Sequence, residues 1–259
     1  MPVYELAKLT WEEVRDLDRQ RTIVILPVGA IEAHGPHLPL ATDVIIANAM
    51  ADAAAKKLAK RGHPVLILPQ IIYAPAPFGA EFHGTLSIAG VTMTALVLDL
   101  ARNLSTQGFR LLAIANAHLD PENLTALNEA VKLSRADRLL PVTFPDLTRR
   151  PWGSRLGEEF RSGACHAGQF ESSIVLSEIA ELVRNKIRRA LPRNPSSLSE
   201  AIKAGKRTFQ EAGGARAYFG DPAAASAKEG RQTVHTLGGI LEEAVLAELG
   251  DGGGGGRGT

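Results

Sequence analysis

Apolar and polar positions alternate between two periods along this chain. Residues 22–28 form a compact, β-branched apolar run that reads as a buried strand. Residues 29–42, with two glycines, two prolines and two histidines, read as a loop. A helix is predicted over 43–61, stopped by Gly62. The same alternation recurs, with strands at 64–68, 109–116 and 139–144 and helices at 91–106 and 121–134. Gly108 closes the first of those helices, and Pro121 opens the second from its first turn. Thr10 and Glu13 have the spacing of a capping box for a short helix ending near Arg19. Beyond Gln169 the pattern is helical, over 170–189, 197–212 (again capped, by Ser197 and Glu200) and 221–249.

Strands alternating with helices predict βαβ units: a three-layer α/β/α sandwich on a mainly parallel sheet. Residues 1–249 are expected to form one domain. Residues 250–259 are expected to be a flexible Gly-rich tail. The 259-residue length suits that reading, as do 45% apolar and 22% charged residues.

A net charge of +1 gives no reason to expect nucleic acid. No apolar run approaches the ~20 residues that span a bilayer, and the N-terminus lacks a signal-peptide layout. The single cysteine, Cys165, excludes an internal disulfide and fits a cytoplasmic location. The expected partner is a small molecule, not nucleic acid or a membrane. No GxGxxG, GxxxxGK[ST] or GxSxG motif is present, which removes support for dinucleotide, P-loop and serine-hydrolase chemistry.

Five of the seven histidines fall in loops after predicted strands or before predicted helices. In a doubly wound sheet that edge is where ligands bind. Glu32-x-His34 and His118-x-Asp120 each set a carboxylate and an imidazole on one side of extended chain. Asp43 opens a helix between them. Two imidazoles and three acids suit Zn²⁺ or Mn²⁺, with Fe²⁺ also compatible. On spacing alone each piece has a plainer reading: E-x-H as surface polarity, Asp43 and Asp120 as helix caps, His118 as a buried histidine. Glu122 could replace Asp120 as ligand. His166 and Glu171, flanking Gly168, are a further candidate pair, although they could equally mark a helix N-terminus. His83, Gly84, Thr85 and Trp152 lie in loops that could contact substrate. His37 could support a ligand.

At these residues the sequence resembles the creatininase family. LPVGAIEAHGPHLPLATD (26–43) is similar to the family's first signature, and FHGTLSI (82–88), NAHLDPEN (116–123) and HAGQFESS (166–173) follow in the family's order. The resemblance implies two divalent ions. Glu32 and His118 would hold one, His34 and Asp120 the other, with Asp43 bridging. It also implies His166 as catalytic acid–base supported by Glu171, and a homo-oligomer, commonly a hexamer. The activity implied is hydrolysis of a C–N bond in a small, cyclic or linear amide by a hydroxide shared between the ions. Deformylation of a formamido-pyrimidine and small-peptide hydrolysis are family alternatives. A non-catalytic metal-binding or assembly protein is the reading from another class.

Overall fold

The computed structural model describes residues 1–250. Five strands form one wholly parallel sheet: β1 (Val3–Glu5), β2 (Ile23–Val28), β3 (Val65–Ile67), β4 (Leu112–Asn116) and β5 (Val142–Thr143). Their order is β1-β3-β2-β4-β5. β2 lies at the centre, with Val24 opposite both Leu66 and Leu112. All six residues of β2 are buried, as covering both faces requires.

Pleating sends alternate side chains into two cores. Ile23 and Ile25 join Ala113 and Ala115 on one face. Val24, Leu26 and Val28 join Leu112 and Ile114 on the other. The nine α-helices among the described residues are α1 (Trp11–Arg15), α2 (Thr42–Lys60), α3 (Gly90–Thr106), α4 (Pro121–Ala136), α5 (Glu158–Arg161), α6 (Gln169–Glu178), α7 (Asn185–Ala190), α8 (Leu198–Lys203) and α9 (Ala227–Leu249). Residues of α2, α6 and α9 cover the first face, and those of α3 and α4 the second. This is the expected three-layer sandwich. The α2–α9 contact is close: a Cβ added at Gly238 would sit 2.5 Å from that of Ala53.

Several boundaries differ from the sequence expectation. The capping box at Thr10 forms, but α1 stops at Arg15, short of Arg19. The expected helix 170–189 breaks after Glu178 and resumes as α7, because the Arg184 amide donates to the carbonyl of His37 (2.9 Å) instead of continuing the helix. The expected helix 197–212 is capped by Ser197 but ends at Lys203. Beyond it the chain turns back, and the Phe209 amide donates to the Phe78 carbonyl (3.1 Å). The last helix starts at Ala227, capped by Ser226, because residues 222–224 form a separate 3-10 turn. β1 was not expected: three residues carry too little periodicity to read. Of the expected Gly-rich tail only Gly250 is described. No helix among the described residues is long and apolar enough to cross a membrane.

Candidate metal centre

The chemistry gathers at the carboxyl edge of the sheet. β2 runs into a loop carrying Glu32, His34 and His37, and that loop feeds α2, whose first turn holds Asp43. β4 delivers His118 and Asp120. The loop before α6 supplies His166, and the first turn of α6 supplies Glu171. All seven of Glu32, His34, Asp43, His118, Asp120, His166 and Glu171 are at most 6% exposed. Charges this deeply buried need partners.

Local backbone geometry sets these side chains. Gly35, at φ +64, lets the chain turn sharply between His34 and His37. Ala167 takes φ +51, a conformation uncommon for a residue with a Cβ, and its amide donates to Glu171 Oε2 at 2.5 Å. That turn faces His166 and Glu171 towards the same centre.

The imidazoles of His34 and His118 are both oriented by carbonyls. His118 Nε2 donates to the Pro75 carbonyl (2.8 Å), so its Nδ1 carries the lone pair in the neutral ring. That Nδ1 lies 2.8 Å from Asp43 Oδ2 and 3.6 Å from Glu32 Oε2. His34 Nδ1 donates to the Glu32 carbonyl (3.0 Å), leaving Nε2 towards Asp43 Oδ1 (3.2 Å) and Glu171 Oε2 (3.6 Å). Two lone pairs thus face carboxylate oxygens. Only a proton or a metal cation reconciles such neighbours. A carbonyl behind a ligating histidine is the usual outer support of a metal site.

The electrostatics register the same crowding. Burial pushes the Glu32 carboxyl up to about 8, against the pull of His118 and His34. Burial likewise lifts Glu171 to about 7. Burial depresses His34 and His118, but their carboxylate neighbours outweigh it and raise each to about 10. Burial raises Asp43, yet the two imidazoles more than offset it and hold Asp43 below the ordinary carboxylate range. Glu32 Oε1 is buried with no hydrogen-bond partner. Gly79 lies against it so closely that an added Cβ would be 2.8 Å from Oε1.

Groups of donor atoms close enough to share a cation are Glu32–His118–Asp120, His34–Asp43–Glu171 and Glu32–His34–His166. The donor set, its burial and the orphaned oxygen fit divalent cations. Asp120 joins Glu32 and His118 in one group. Its oxygens also accept the amides of Phe78 (3.1 Å) and Glu122 (2.8 Å). Glu122 itself is exposed and accepts the Gly90 amide (2.9 Å) at the start of α3. Glu171, expected beside His166, lies against His34.

His166 Nε2 donates to the Ala33 carbonyl (2.9 Å), and Nδ1 stands 3.9 Å from Glu32 Oε2. Its ring stacks on Phe209 (centroids 4.2 Å apart) and leans on His34 (4.4 Å). Burial, then the nearby His34 charge, holds His166 well below the usual histidine range. His37 is buried against Ser172 Oγ (2.9 Å), tying the loop to α6.

Six of the seven residues line one pocket, walled by Phe78, Leu119, Leu198, Ile202 and Phe209. His83, Gly84, Thr85 and Trp152 are not among its lining residues. His83 and Gly84 are exposed. Thr85 Oγ1 accepts the Ala33 amide (3.1 Å) and so braces the loop. Trp152 packs against the core. Phe78 and Phe209 were missed from sequence. Phe209 falls in what reads as the end of a helix, and nothing local marks it.

Comparison with known proteins makes the chain a hydrolase acting on carbon–nitrogen bonds. More particularly, the chain belongs to the creatininase family, whose model, described as creatinine amidohydrolase, matches residues 7–245. A mycofactocin precursor peptide peptidase of Mycobacterium tuberculosis is 32% identical over 220 residues, 81% of this chain and 78% of that protein. A creatinine amidohydrolase of Pseudomonas putida is 26% identical over 198 residues, 69% of this chain and 73% of that protein. A tryptophan-to-alanine mutant creatininase superposes with a TM-score of 0.74 at 23% identity, over 95% of this chain and 99% of that one. Solved creatininases include a manganese form and a zinc–zinc form, with TM-scores of 0.69 and 0.68 at 23% identity each; they cover 95% and 94% of this chain and 98% and 97% of theirs.

Proposed function

We propose that the chain is a metal-dependent amidohydrolase with two divalent cations at the sheet edge. Glu32, His118 and Asp120 would hold one, His34 and Glu171 the other, and Asp43 would reach both. The supporting observation is that Asp43 presents Oδ2 to His118 Nδ1 and Oδ1 to His34 Nε2. Carboxylate and imidazole donors suit Zn²⁺ and Mn²⁺, and also Fe²⁺.

Such cations, when bound, lower the pKa of water and polarise an amide carbonyl. The protein's own groups supply the rest. His166, neutral and with Nδ1 unprotonated, can accept a proton and return it to the leaving nitrogen. Its Nε2–H stays on Ala33, which keeps the acceptor atom towards the pocket. Phe78, Phe209 and Ile202 give the pocket an apolar wall, which strengthens the polar interactions beside it.

Hydrolysis of a peptide bond is the reading favoured for the substrate, supported by the 32% identical peptidase relative. A small or cyclic amide is the second, supported by the creatinine amidohydrolase relative. The test is elemental analysis of the purified chain together with a panel of dipeptides, longer peptides, lactams and formamides. Two equivalents of metal and metal-restored turnover of an amide are expected. Less than about one equivalent per chain would remove the proposal. A hexameric assembly is part of the same reading, checked by light scattering.

A further inference from the structure

We propose that the substrate is an extended, carboxylate-bearing peptide, laid along a cationic groove that leads outward from the metal pocket. The proposal rests on the amidohydrolase reading for what happens at the pocket, and on separate residues for recognition.

The pocket and the groove share Leu119, Pro121, Thr148, Cys165, Ser199 and Ile202, so the two spaces adjoin. The pocket is small, about 80 Å³, and the groove is much larger, about 920 Å³, room for several residues of extended chain.

The groove's charge is one-sided. Lys132, Arg149, Arg150, Arg161 and Lys203 line it, against Glu129 and Asp146. Both acids are already engaged: Glu129 pairs with Lys132 (3.3 Å) and Asp146 with Arg149 (3.1 Å). Lys203 pairs with Glu200 (2.7 Å). Among the described residues, Arg150 and Arg161 form no ion pair, and both are exposed. The whole chain carries only +1, so this local surplus is not a general property of its surface. A guanidinium meets a carboxylate through two parallel hydrogen bonds, which favours that anion. Single-stranded nucleic acid would need exposed rings for its bases. Among the described residues, the only ring lining the groove is that of Phe160, which is buried in the core.

The test is fluorescence polarisation on the full-length, metal-loaded chain with labelled peptides of about eight residues. Glu-rich and Gln-rich versions are compared, each with a free C-terminal acid or an amide. Tighter binding, by at least about fivefold, is expected for a carboxylate-bearing peptide than for the Gln-rich amide. A gain from the Glu-rich amide assigns recognition to side chains; a gain only from the free acid assigns it to the terminus. The gain should vanish in R150Q/R161Q and be reduced, not lost, in R150K/R161K, which keeps the charge without the two-point contact. Equal binding of all four peptides, or undiminished discrimination in R150Q/R161Q, overturns the proposal. Metal content and turnover are read on the same samples. A chain that discriminates charge without holding metal would fail the hydrolase reading alone.

Discussion

Asp43 Oδ2 lies 2.8 Å from His118 Nδ1, the ring nitrogen that the Pro75 carbonyl leaves as a lone pair. Asp43 Oδ1 meets His34 Nε2, set the same way by the Glu32 carbonyl, at 3.2 Å. One carboxylate therefore addresses both imidazoles. Asp43→Ala should lower bound metal from two equivalents to below about one and abolish turnover. Elemental analysis after dialysis against metal-free buffer checks this. Undiminished content would show that Asp43 bridges nothing.

Metal-free protein should lose stability as pH rises. Glu32 at about 8 and Glu171 at about 7 both lie above their ordinary 4.5, so the folded state holds their protons longer. Between 4.5 and those values folding binds protons, and stability falls with rising pH. His34 and His118, raised from 6.5 to about 10, extend the decline through the alkaline range. Asp43, whose proton is held less tightly, contributes oppositely, but only at acid pH. Melting curves of chelator-treated protein from about pH 6 to 9 should drop steadily. Added Mn²⁺ or Zn²⁺ should raise the melting temperature most at the alkaline end. A flat profile without metal would contradict the buried-charge account.

His166→Gln should keep both metals and lose about a hundredfold to ten-thousandfold in turnover. His166 Nδ1 stands 3.9 Å from Glu32, whereas the other two imidazoles approach carboxylates more closely. Retained metal with lost turnover separates proton transfer from ligation. Lost metal would instead make His166 a ligand, as its grouping with Glu32 and His34 allows.

The layered sheet was legible because β2 and β4 are long apolar runs flanked by glycine and proline punctuation. The gathering of polar side chains at the strand ends was legible too: Glu32, His34, Asp43, His118 and His166 converge. What stayed hidden depends on contacts between distant segments. The break after Glu178 follows from the Arg184–His37 bond, 147 residues apart by their numbers, which no local window contains. Phe209 reaches His166 because helix α8 stops early and the chain returns to Phe78. Sequence spacing likewise could not choose between Asp120 and Glu122. The structure sends Glu122 outward to Gly90 and Asp120 inward to Phe78. Glu171 reaches His34 rather than simply accompanying His166, because the turn at Ala167 swings α6 towards the loop after β2.

Gly79 offers the finest probe of the centre. Its place for a Cβ lies 2.8 Å from Glu32 Oε1 and 2.9 Å from Glu32 Cγ. An alanine there would push the Glu32 carboxylate sideways, and that side chain, being 2% exposed, has no open solvent to move into. Gly79 sits in a short 3-10 turn whose neighbour Phe78 donates its amide to Asp120. A shift would therefore be felt by both acids facing His118. Gly79→Ala removes no donor atom, so it acts by displacing one, as loss of an outer support does, at about tenfold to a hundredfold in metal affinity. Turnover at limiting metal should fall accordingly and recover at excess metal, and the thermal midpoint of the metal-free form should fall too, because the added methyl overpacks a buried site. A Gly79→Ala enzyme that binds metal with unchanged affinity would mean that Glu32 Oε1 is not held for a cation.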